Sequence, residues 1–428
     1  MKKDMCQKTV LPNGVRLLMI PLEGVNSVST SVMVGVGSRF ETTSINGISH
    51  FLEHIVFKGT KKFPTTEDVN EIERIGGIQN AYTDVDVTNY HNKVLSTDWS
   101  QALEVNKELA LMPLIENQHI DRERDVILEE MKRYEDEPAQ KVVEVLHRMM
   151  YPGTPLGMRI IGESGSLKQI GASQLKAYHK KWYRSDNIVV VVAGKLVTSD
   201  KTELISKTNE WFGNLNGKVE EKVKLVTDDQ KKPKVDVLTK PDAQQAHLAI
   251  GLRTFKRPSE ERYAWNVFNL LMGISFTSRL FKEIREKRGL CYHIRSNSSN
   301  WKDVGYWNIY AGVATTKAEE AVGAIVAELA KAVDQGVTES EVKVAAKRLK
   351  TMLAFKAEDP EFINEYYGRQ EVFNQEIVSL DDYVARIDKV TSDEINKLVK
   401  KYIVTETLNL ALVWSKPENS RLEKLLKI

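Results

Sequence analysis

Two histidines and a glutamate within the segment His50-Phe51-Leu52-Glu53-His54 have the residue types and spacing of a metal site. In a helix, His54 lies about 40° around the axis from His50 and about 6 Å along it, so both imidazoles can reach one ion. Glu53 falls on the same side of the helix and can accept a proton there. Catalytic zinc binds imidazole nitrogens and keeps a position open for water, whose pKa it lowers to about 7.

The same residues could instead be polar groups on an exposed helix face. The composition gives about 0.02 chance matches to the His-x-x-Glu-His pattern, which is the signature of inverted zinc peptidases. Phe51 and Leu52 interleave with the polar residues, so one side of the helix should be buried while the other side lines a site. The segment therefore predicts a metal centre with a base beside it.

Two histidines do not complete a zinc site, so another ligand must come from elsewhere in the chain. Residues 123–131 predict a helix with Asp121 as its N-cap. In this helix Glu123 and Glu130 are two turns apart on one face, whereas Glu129 points about 100° away from Glu130. Spacing alone would favour a solvated acidic helix, and Glu130 is the leading candidate ligand.

Two more segments have clear local patterns. Residues 75–83 contain two glycines followed by an alternating run, which predicts a turn and then a strand. Residues 279–292 predict an amphipathic helix that ends at Gly289 and leads into a strand. Taken alone, the first pattern is typical of an ordinary buried strand and the second of a solvated basic helix.

The runs HFLEHIVFKGT and ERDVILEEM together resemble the pitrilysin and mitochondrial-processing-peptidase family of inverted zinc metallopeptidases, in particular a small two-domain bacterial-type member. The resemblance covers essentially the whole chain and implies a zinc-dependent endopeptidase. It implies one Zn²⁺ per chain, held by His50, His54 and Glu130. It also implies that Glu53 is the general base and Glu123 an accessory active-site residue.

The resemblance assigns roles to the other two segments as well. In the family, an Asn-Ala-aromatic strand pairs with the substrate backbone, which implies substrate contacts from Asn80, Ala81 and Tyr82. Such β-augmentation demands little of the substrate's side chains. Arg285 and Tyr292 match residues that hold the substrate main chain and assist the oxyanion. The implied substrate is a peptide or an unfolded polypeptide segment.

A weak internal repeat indicates how the 428 residues are divided. Residues 170–175 align with residues 390–395 at an offset of 220. At an offset of 217, Lys347 stands where the first copy has Glu130, and no His-x-x-Glu-His occurs in the second copy. Only the first copy is therefore predicted to bind metal, although the second could still bind substrate.

The repeat predicts an α+β fold of two homologous domains, each a mostly antiparallel sheet packed against helices. The catalytic zinc domain would span residues 1–217 and the domain with the Arg/Tyr motif residues 235–428. Residues 218–234 are densely charged, lack periodicity and would form an exposed linker.

The composition gives no argument for nucleic-acid or anionic-membrane partners, because 61 basic residues balance 59 acidic ones. No apolar stretch approaches the 18 or so residues of a membrane span, and the first residues lack the pattern of a secretory signal. Cys6 and Cys291 suggest no disulfide framework. Together these features predict a cytoplasmic location.

The resemblance also implies a homodimer, in which the Arg/Tyr half of one chain would serve the zinc of its neighbour. Two alternatives stay open: a non-catalytic core or assembly subunit, and a processing peptidase that needs a second partner chain. The intact motif residues argue against the first. The remaining histidines lack ligand spacing and should be surface or packing residues: His91, His119, His147, His179, His247 and His293.

Overall fold

The computed structural model describes residues 6–220, 225–226, 230–417 and 420–428, so part of the segment predicted as a linker lies outside the described residues. The strands are β1 (Gln7–Val10), β2 (Arg16–Pro21), β3 (Ser27–Val34), β4 (Ile78–Thr83), β5 (Thr88–Leu95), β6 (Ile188–Gly194), β7 (Lys234–Thr239), β8 (Gln245–Thr254), β9 (Cys291–Asn300), β10 (Gly305–Ala314) and β11 (Asn409–Trp414).

The helices are α1 (Ile48–Val56), α2 (Thr66–Val69), α3 (Glu71–Arg74), α4 (Trp99–Leu111), α5 (Asn117–Glu135), α6 (Pro138–Met150), α7 (Ser164–Leu167), α8 (Ala172–Trp182), α9 (Thr198–Phe212), α10 (Glu261–Asn269), α11 (Ala318–Asp334), α12 (Glu339–Lys356), α13 (Pro360–Val372), α14 (Leu380–Ile387), α15 (Ser392–Tyr402) and α16 (Ser420–Leu425). Two further helical segments, Leu270–Ile274 and Phe281–Lys287, have wide π-type turns. Among the described residues, no helix is both long and apolar enough to cross a membrane.

The two sheets have the same topology. The strand order is β1-β2-β6-β3-β5-β4 in one sheet and β7-β11-β8-β10-β9 in the other. In each sheet one neighbouring pair is parallel, β2 with β6 and β7 with β11, and the other pairs are antiparallel. Apart from the additional β1, the sheets correspond strand for strand. This arrangement confirms the predicted α+β fold of two related domains with mostly antiparallel sheets packed against helices.

Each sheet belongs to a separate compact unit. The first unit takes in the described residues of 1–131, 158–223 and 353–381, and the second takes in those of 132–157, 224–352 and 382–428. Residues 132–157 of the first half of the chain thus belong to the second unit, and residues 353–381 of the second half belong to the first unit. A division of the sequence into 1–217 and 235–428 does not include this exchange. The physical reason is that α6 and α13 bury their apolar faces on the sheet encoded by the other half of the chain.

The helix α6 packs on β8 and β11 of the second unit. Gly251 of β8 allows this close approach, because a Cβ there would lie 2.7 Å from Leu146 Cδ2 and 3.1 Å from Met150 Sδ. Both side chains are fully buried. The helix α6 begins at Pro138, which occupies a favourable position in a first helical turn because it has no N–H to satisfy.

The helix α13 occupies the corresponding place in the repeat and packs on β3 and β6 of the first unit. It also begins with a proline, Pro360. The buried side chain of Asn364 fixes it to the sheet: its Oδ1 accepts from Ser31 Oγ at 2.5 Å, and its Nδ2 donates to the carbonyls of Ser29 at 3.0 Å and Val191 at 3.1 Å. A buried amide with all of these bonds made favours one register of the helix on the sheet.

Two local predictions need comment. The helix expected to start after Asp121 begins at Asn117, so the N-cap assignment was wrong, and Asp121 instead forms an ion pair with Arg124 on the same helix. The expected helix-to-strand transition at residues 279–292 is confirmed. Gly289 has a φ of 57°, a left-handed conformation that glycine adopts without a Cβ penalty, and β9 follows at Cys291.

We expect the Asn364→Ala substitution to lower the free energy of unfolding by about 2 kcal/mol, because it leaves the Ser31 hydroxyl buried without its acceptor and removes two bonds to the sheet. Urea unfolding followed by tryptophan fluorescence measures this change. Asn214→Ala, at an exposed asparagine of the same unit, is the control and should change stability by less than about 0.5 kcal/mol. Equal effects of the two substitutions would contradict the anchoring role of Asn364.

Candidate metal centre

The short helix α1 presents His50, Glu53 and His54 on one face. The apolar side chains of its opposite face, among them Phe51 and Leu52, are fully buried. This is the division expected from the apolar residues that interleave with the motif. Burial of the apolar face therefore fixes the rotation of the helix and the direction of its polar side chains.

A tight glycine contact and a buried carboxylate fix the start of α1. Gly47, just before the helix, has a φ of 93°, and a Cβ there would lie 2.7 Å from the carbonyl oxygen of Ile161. Glu41 Oε2 accepts from the Gly47 amide at 2.7 Å and from Asn46 Nδ2 at 2.9 Å, while its Oε1 accepts from the Ser49 amide at 2.9 Å. An acceptor in this position satisfies amides that lack partners within the helix.

The motif itself did not reveal the role of Glu41. This carboxyl is fully buried, and burial raises its pKa to about 7 although the hydrogen bonds from Gly47, Ser49 and Asn46 oppose the shift. Because Glu41 reaches α1 through a loop, no helical or strand periodicity connects it to the motif. An acidic residue shortly before the helix was the only available signal.

The three expected ligands converge on one point. His50 Nε2 lies 3.8 Å and His54 Nε2 lies 3.5 Å from Glu130 Oε2, and one donor atom from each of the three residues lies within 4.8 Å of the others. Tetrahedral zinc with bonds of about 2.0–2.1 Å places its ligands about 3.3 Å apart, so small side-chain adjustments suffice. Among the described residues, no other group of histidine, cysteine and acidic side chains has this arrangement.

The helix α5 supplies both acidic residues from one face. Glu123 is buried, Glu130 is half-buried and Glu129 is exposed, as their spacing predicts. Glu123 Oε2 lies 3.4 Å from His54 Nδ1, and its Oε1 accepts from Lys58 Nζ at 2.6 Å. A carboxylate behind a metal-binding imidazole fixes its tautomer and leaves the other nitrogen for the metal. Glu123 therefore positions His54.

The two imidazoles have opposite proton affinities without metal. Burial, together with the neighbouring His54, lowers the pKa of His50 to about 4, against an opposing effect of Glu130. Burial also disfavours the charged form of His54, but Glu123 and Glu130 outweigh it and raise its pKa to about 9. At neutral pH, His50 is therefore already in the neutral form that binds metals, whereas His54 must first lose a proton.

Glu53 lies beside the ligand cluster and is held at one oxygen. Its Oε2 accepts from Thr83 Oγ1, at the end of β4, at 2.6 Å. Burial raises the pKa of Glu53, while the Thr83 hydrogen bond and the charge on His54 act in the opposite direction. A carboxylate with a raised pKa is a better general base near neutral pH.

The strand β4 is an edge strand of its sheet and packs against α1. Its side chains alternate, so Asn80 and Tyr82 share one face while Ala81 and Thr83 share the other, which is the face of Glu53. The Tyr82 hydroxyl donates to Glu365 at 2.5 Å on α13. As an edge strand, β4 has one side of its main chain unpaired with another strand of this sheet.

Arg285 and Tyr292 lie together in the second unit. The guanidinium carbon of Arg285 is 5.4 Å from the centre of the Tyr292 ring and 4.8 Å from that of Phe281. The Tyr292 side chain is 80% exposed and available to a ligand. The structure thus forms two clusters: His50, Glu53, His54, Glu123 and Glu130 in the first unit, and Arg285 with Tyr292 in the second.

Other titratable residues have packing contacts. His147 packs against aromatic rings, with its ring centre 4.6 Å from that of Tyr306, and burial of the imidazole lowers its pKa to about 4. His179 Nε2 bonds to the carbonyl of Ala110 at 2.7 Å. Neither histidine belongs to the metal group.

Two protein-family models match this chain. The family model described as "Insulinase (Peptidase family M16)" matches residues 18–164, which include all five residues of the first cluster. The model described as "Peptidase M16 inactive domain" matches residues 169–349, which include Arg285 and Tyr292.

Individual proteins are similar along nearly the whole chain. An "uncharacterized zinc protease", YmxG, of Bacillus subtilis is 32% identical over 410 residues, covering 96% of this chain and 98% of the relative. A probable mitochondrial-processing peptidase subunit beta of Arabidopsis thaliana is 28% identical over 416 residues, covering 95% and 77%. The crystal structure of a protease from Helicobacter pylori has a TM-score of 0.89 at 22% identity and covers 96% and 99%.

The family resemblance carried by the two sequence runs is therefore confirmed. Both halves of the chain match models of one family, and the similarity to YmxG extends over nearly the full length of both proteins. With its inverted His-x-x-Glu-His helix and the distant Glu130 brought to one point, this chain belongs to peptidase family M16.

Proposed function

We propose that this protein is a zinc-dependent endopeptidase that hydrolyses peptides or unfolded polypeptide segments. The observation that carries the proposal is the convergence of His50, His54 and Glu130 beside the buried carboxyl of Glu53. Two imidazoles and one carboxylate form a ligand set of catalytic zinc, which leaves a position open for the reaction. The names of relatives such as the zinc protease of B. subtilis support the same activity.

When bound, zinc polarises the peptide carbonyl and lowers the pKa of water. Glu53 accepts a proton from the attacking water as the new C–O bond forms. The same carboxyl then delivers this proton to the leaving nitrogen as the C–N bond breaks. The Thr83 hydroxyl holds one carboxyl oxygen, so the other is free to exchange the proton.

Substrate binding would use the main chain of β4. An extended peptide can add to an edge strand through backbone hydrogen bonds, which gives affinity without a strict side-chain requirement. Asn80, Ala81 and Tyr82 would contribute mainly through their backbone groups, since the Tyr82 hydroxyl is already bonded to Glu365. Arg285 and Tyr292 would hold a substrate carbonyl and the developing oxyanion.

We propose that the active form is a homodimer in which the Arg/Tyr half of one chain serves the zinc of its partner. The alternatives are a non-catalytic assembly subunit and a processing peptidase that needs a different second chain. The complete set of ligands, base and Arg/Tyr pair within one chain favours the homodimer. A chain without this second half would require another protein to supply it.

The Glu53→Gln substitution should leave about one zinc per chain but reduce peptide turnover by about 10²–10⁴-fold, because it removes the proton acceptor and not a ligand. Metal analysis and cleavage of a quenched fluorescent peptide, with and without a chelator, measure both quantities. Glu129→Gln, at the exposed neighbour of Glu130, is the control and should keep both. Loss of zinc from the Glu53→Gln protein would assign Glu53 a ligand role and refute the base assignment.

Zinc binding should release about one proton per ion at pH 7, because His54 has a pKa of about 9 without metal and must bind zinc as the neutral ring. Zinc affinity should therefore fall as the pH drops below about 9. Glu123→Gln removes one cause of the raised pKa and should release fewer protons. Calorimetry in buffers of different ionisation enthalpy counts the protons, and release near zero in the unsubstituted protein would contradict the assignment.

A mixing experiment tests the homodimer. The Glu53→Gln and Arg285→Ala proteins should each be nearly inactive, but after exchange of subunits in an equal mixture about a quarter of the activity should return, because about half of the dimers are then mixed and each contains one intact composite site of two. Light scattering coupled to size-exclusion chromatography measures the mass in parallel. A dimer without recovered activity would place each complete site within one chain, and a monomer would refute the proposed assembly.

A further inference from the structure

The second unit contains a cavity at the position that corresponds to the metal centre of the first unit. In the first unit, α1 follows β3, packs against the edge strand β4, and meets Glu130 of α5. In the second unit, α10 and the segment Leu270–Ile274 follow β8 and pack against the edge strand β9. The packing is close, since a Cβ at Gly273 would lie 2.5 Å from Ser296 Oγ. The helix α12 follows β10 as α5 follows β5.

This second cavity encloses about 520 Å³, which is within the range of ligand pockets. We call it the basic cavity, and its main polar and aromatic lining residues are Asn269, Phe276, Arg285, His293, Arg295 and Arg348. Arg348 comes from α12, the counterpart of the helix that supplies Glu130. The first unit thus has acidic and imidazole ligands for a cation where the second unit has fixed positive charge.

The positive charge of the basic cavity has no counter-charge in its walls. Among the described residues that line it, none is an aspartate or a glutamate. The nearby Arg279 is different, because Glu341 binds it at 2.7 and 2.8 Å. Arg285 contacts the rings of Phe281 and Tyr292, and Arg295 lies 5.8 Å from the Tyr310 ring, which leaves their guanidinium edges able to bind an anion.

The imidazole of His293 also lines the basic cavity and lies near two of its arginines. Its pKa is lowered by burial and then by the charges of Arg295 and Arg285. Arg295 and Arg348 are both exposed, so a ligand can reach them from solvent. Phe276, on the rim, is 71% exposed and offers an apolar surface beside the charges. Converging guanidinium groups favour a planar carboxylate, which can accept two parallel hydrogen bonds from one arginine.

We propose that the basic cavity binds the side-chain carboxylate of an aspartate or glutamate residue in an extended substrate peptide, with an apolar neighbour on Phe276. This inference rests on the peptide-binding part of the proposed function and specifies a substrate class for it. Arg348 and Arg295 are the specificity-determining residues. Neither belongs to the proposed metal ligands, the base or the Arg285–Tyr292 pair, so neither is assigned a part in bond cleavage.

Binding can be tested separately from turnover with the full-length Glu53→Gln protein loaded with zinc. Fluorescence anisotropy would compare three labelled decapeptides that carry Glu, Gln or Lys at one central position next to a leucine. We expect the Glu peptide to bind about tenfold or more tightly than the Gln peptide, and the Lys peptide to bind most weakly. Equal affinities for the Glu and Gln peptides would overturn the proposal.

Charge-removing substitutions locate the effect. Arg348→Ala and, independently, Arg295→Ala should reduce the Glu/Gln preference to about twofold or less. Lys347→Ala removes the same charge from the next position of α12, outside the lining of the basic cavity, and should keep the preference. A preference that survives both arginine substitutions would place acidic recognition elsewhere and refute this site.

Two further measurements separate the possible outcomes. Inorganic phosphate should compete with the Glu peptide more strongly than with the Gln peptide; phosphate binding without any Glu/Gln preference would make the cavity a site for small anions only and overturn the proposal. Cleavage of the Gln peptide by the unsubstituted protein is measured separately. If the unsubstituted protein cleaves the Gln peptide but the Glu and Gln peptides bind equally well, only this inference is refuted. If the Glu peptide binds more tightly but no peptide is cleaved, only the proposed activity is refuted.

Discussion

The side chains of His50, His54 and Glu130 come from two helices and lie within a few ångströms of one another. The packing of the first unit holds the two helices in the positions that bring these side chains together. His50 and His54 come from one short helix, and Glu130 comes from another that begins at Asn117. Their closeness is electrostatically costly without a cation, because a partly buried cluster of carboxylates and imidazoles loses hydration. The opposite pKa shifts of His50 and His54 are the consequence. A divalent cation would remove this conflict, because it would compensate the carboxylate charge and bind both imidazoles in their neutral forms.

Side chains around the cluster hold His50, His54 and Glu130 in position without contacting the atoms by which these three residues face one another. Glu41 holds the first amides of α1, and Gly47 allows the chain to enter the helix beside Ile161. Lys58 holds Glu123, which in turn fixes His54. Each of these contacts restricts one rotation or translation of a ligand. Packing and hydrogen bonds therefore set the geometry of the cluster before a ligand binds. Such preorganisation lowers the free-energy cost of rearrangement on binding.

The repeat shows how one topology can serve two kinds of ligand chemistry. In both sheets helical segments pack against an edge strand, and in both units a long helix contributes a charged side chain near them. The first unit places Glu130 there and the second places Arg348. Main-chain topology is the same in the two cases, but the side-chain charge differs, with imidazole and carboxylate groups in the first unit and guanidinium groups in the second. The shared fold thus constrains where a ligand can bind, and the side chains determine which ligand.

The sequence by itself determined the chemistry that is local. The two histidines and Glu53 share a helix, so their spacing was enough to place them together, and the face shared by Glu123 and Glu130 followed from helical periodicity in the same way. The turn at Gly76-Gly77 with β4 after it was likewise predictable from the local pattern. The resemblance to a known family added the pairing of Glu130 with the histidines, which no spacing supplied.

Only the tertiary structure decided what depends on contacts between distant parts of the chain. The exchange of α6 and α13 between the units depends on Gly251 and Asn364 meeting side chains far away in sequence. The caps on α1 and the lining of the basic cavity depend equally on such contacts. Periodicity reports which face of an element is apolar but not which surface covers it, because many apolar surfaces have the same pattern. That choice is made by shape, close packing and satisfied hydrogen bonds in the folded chain.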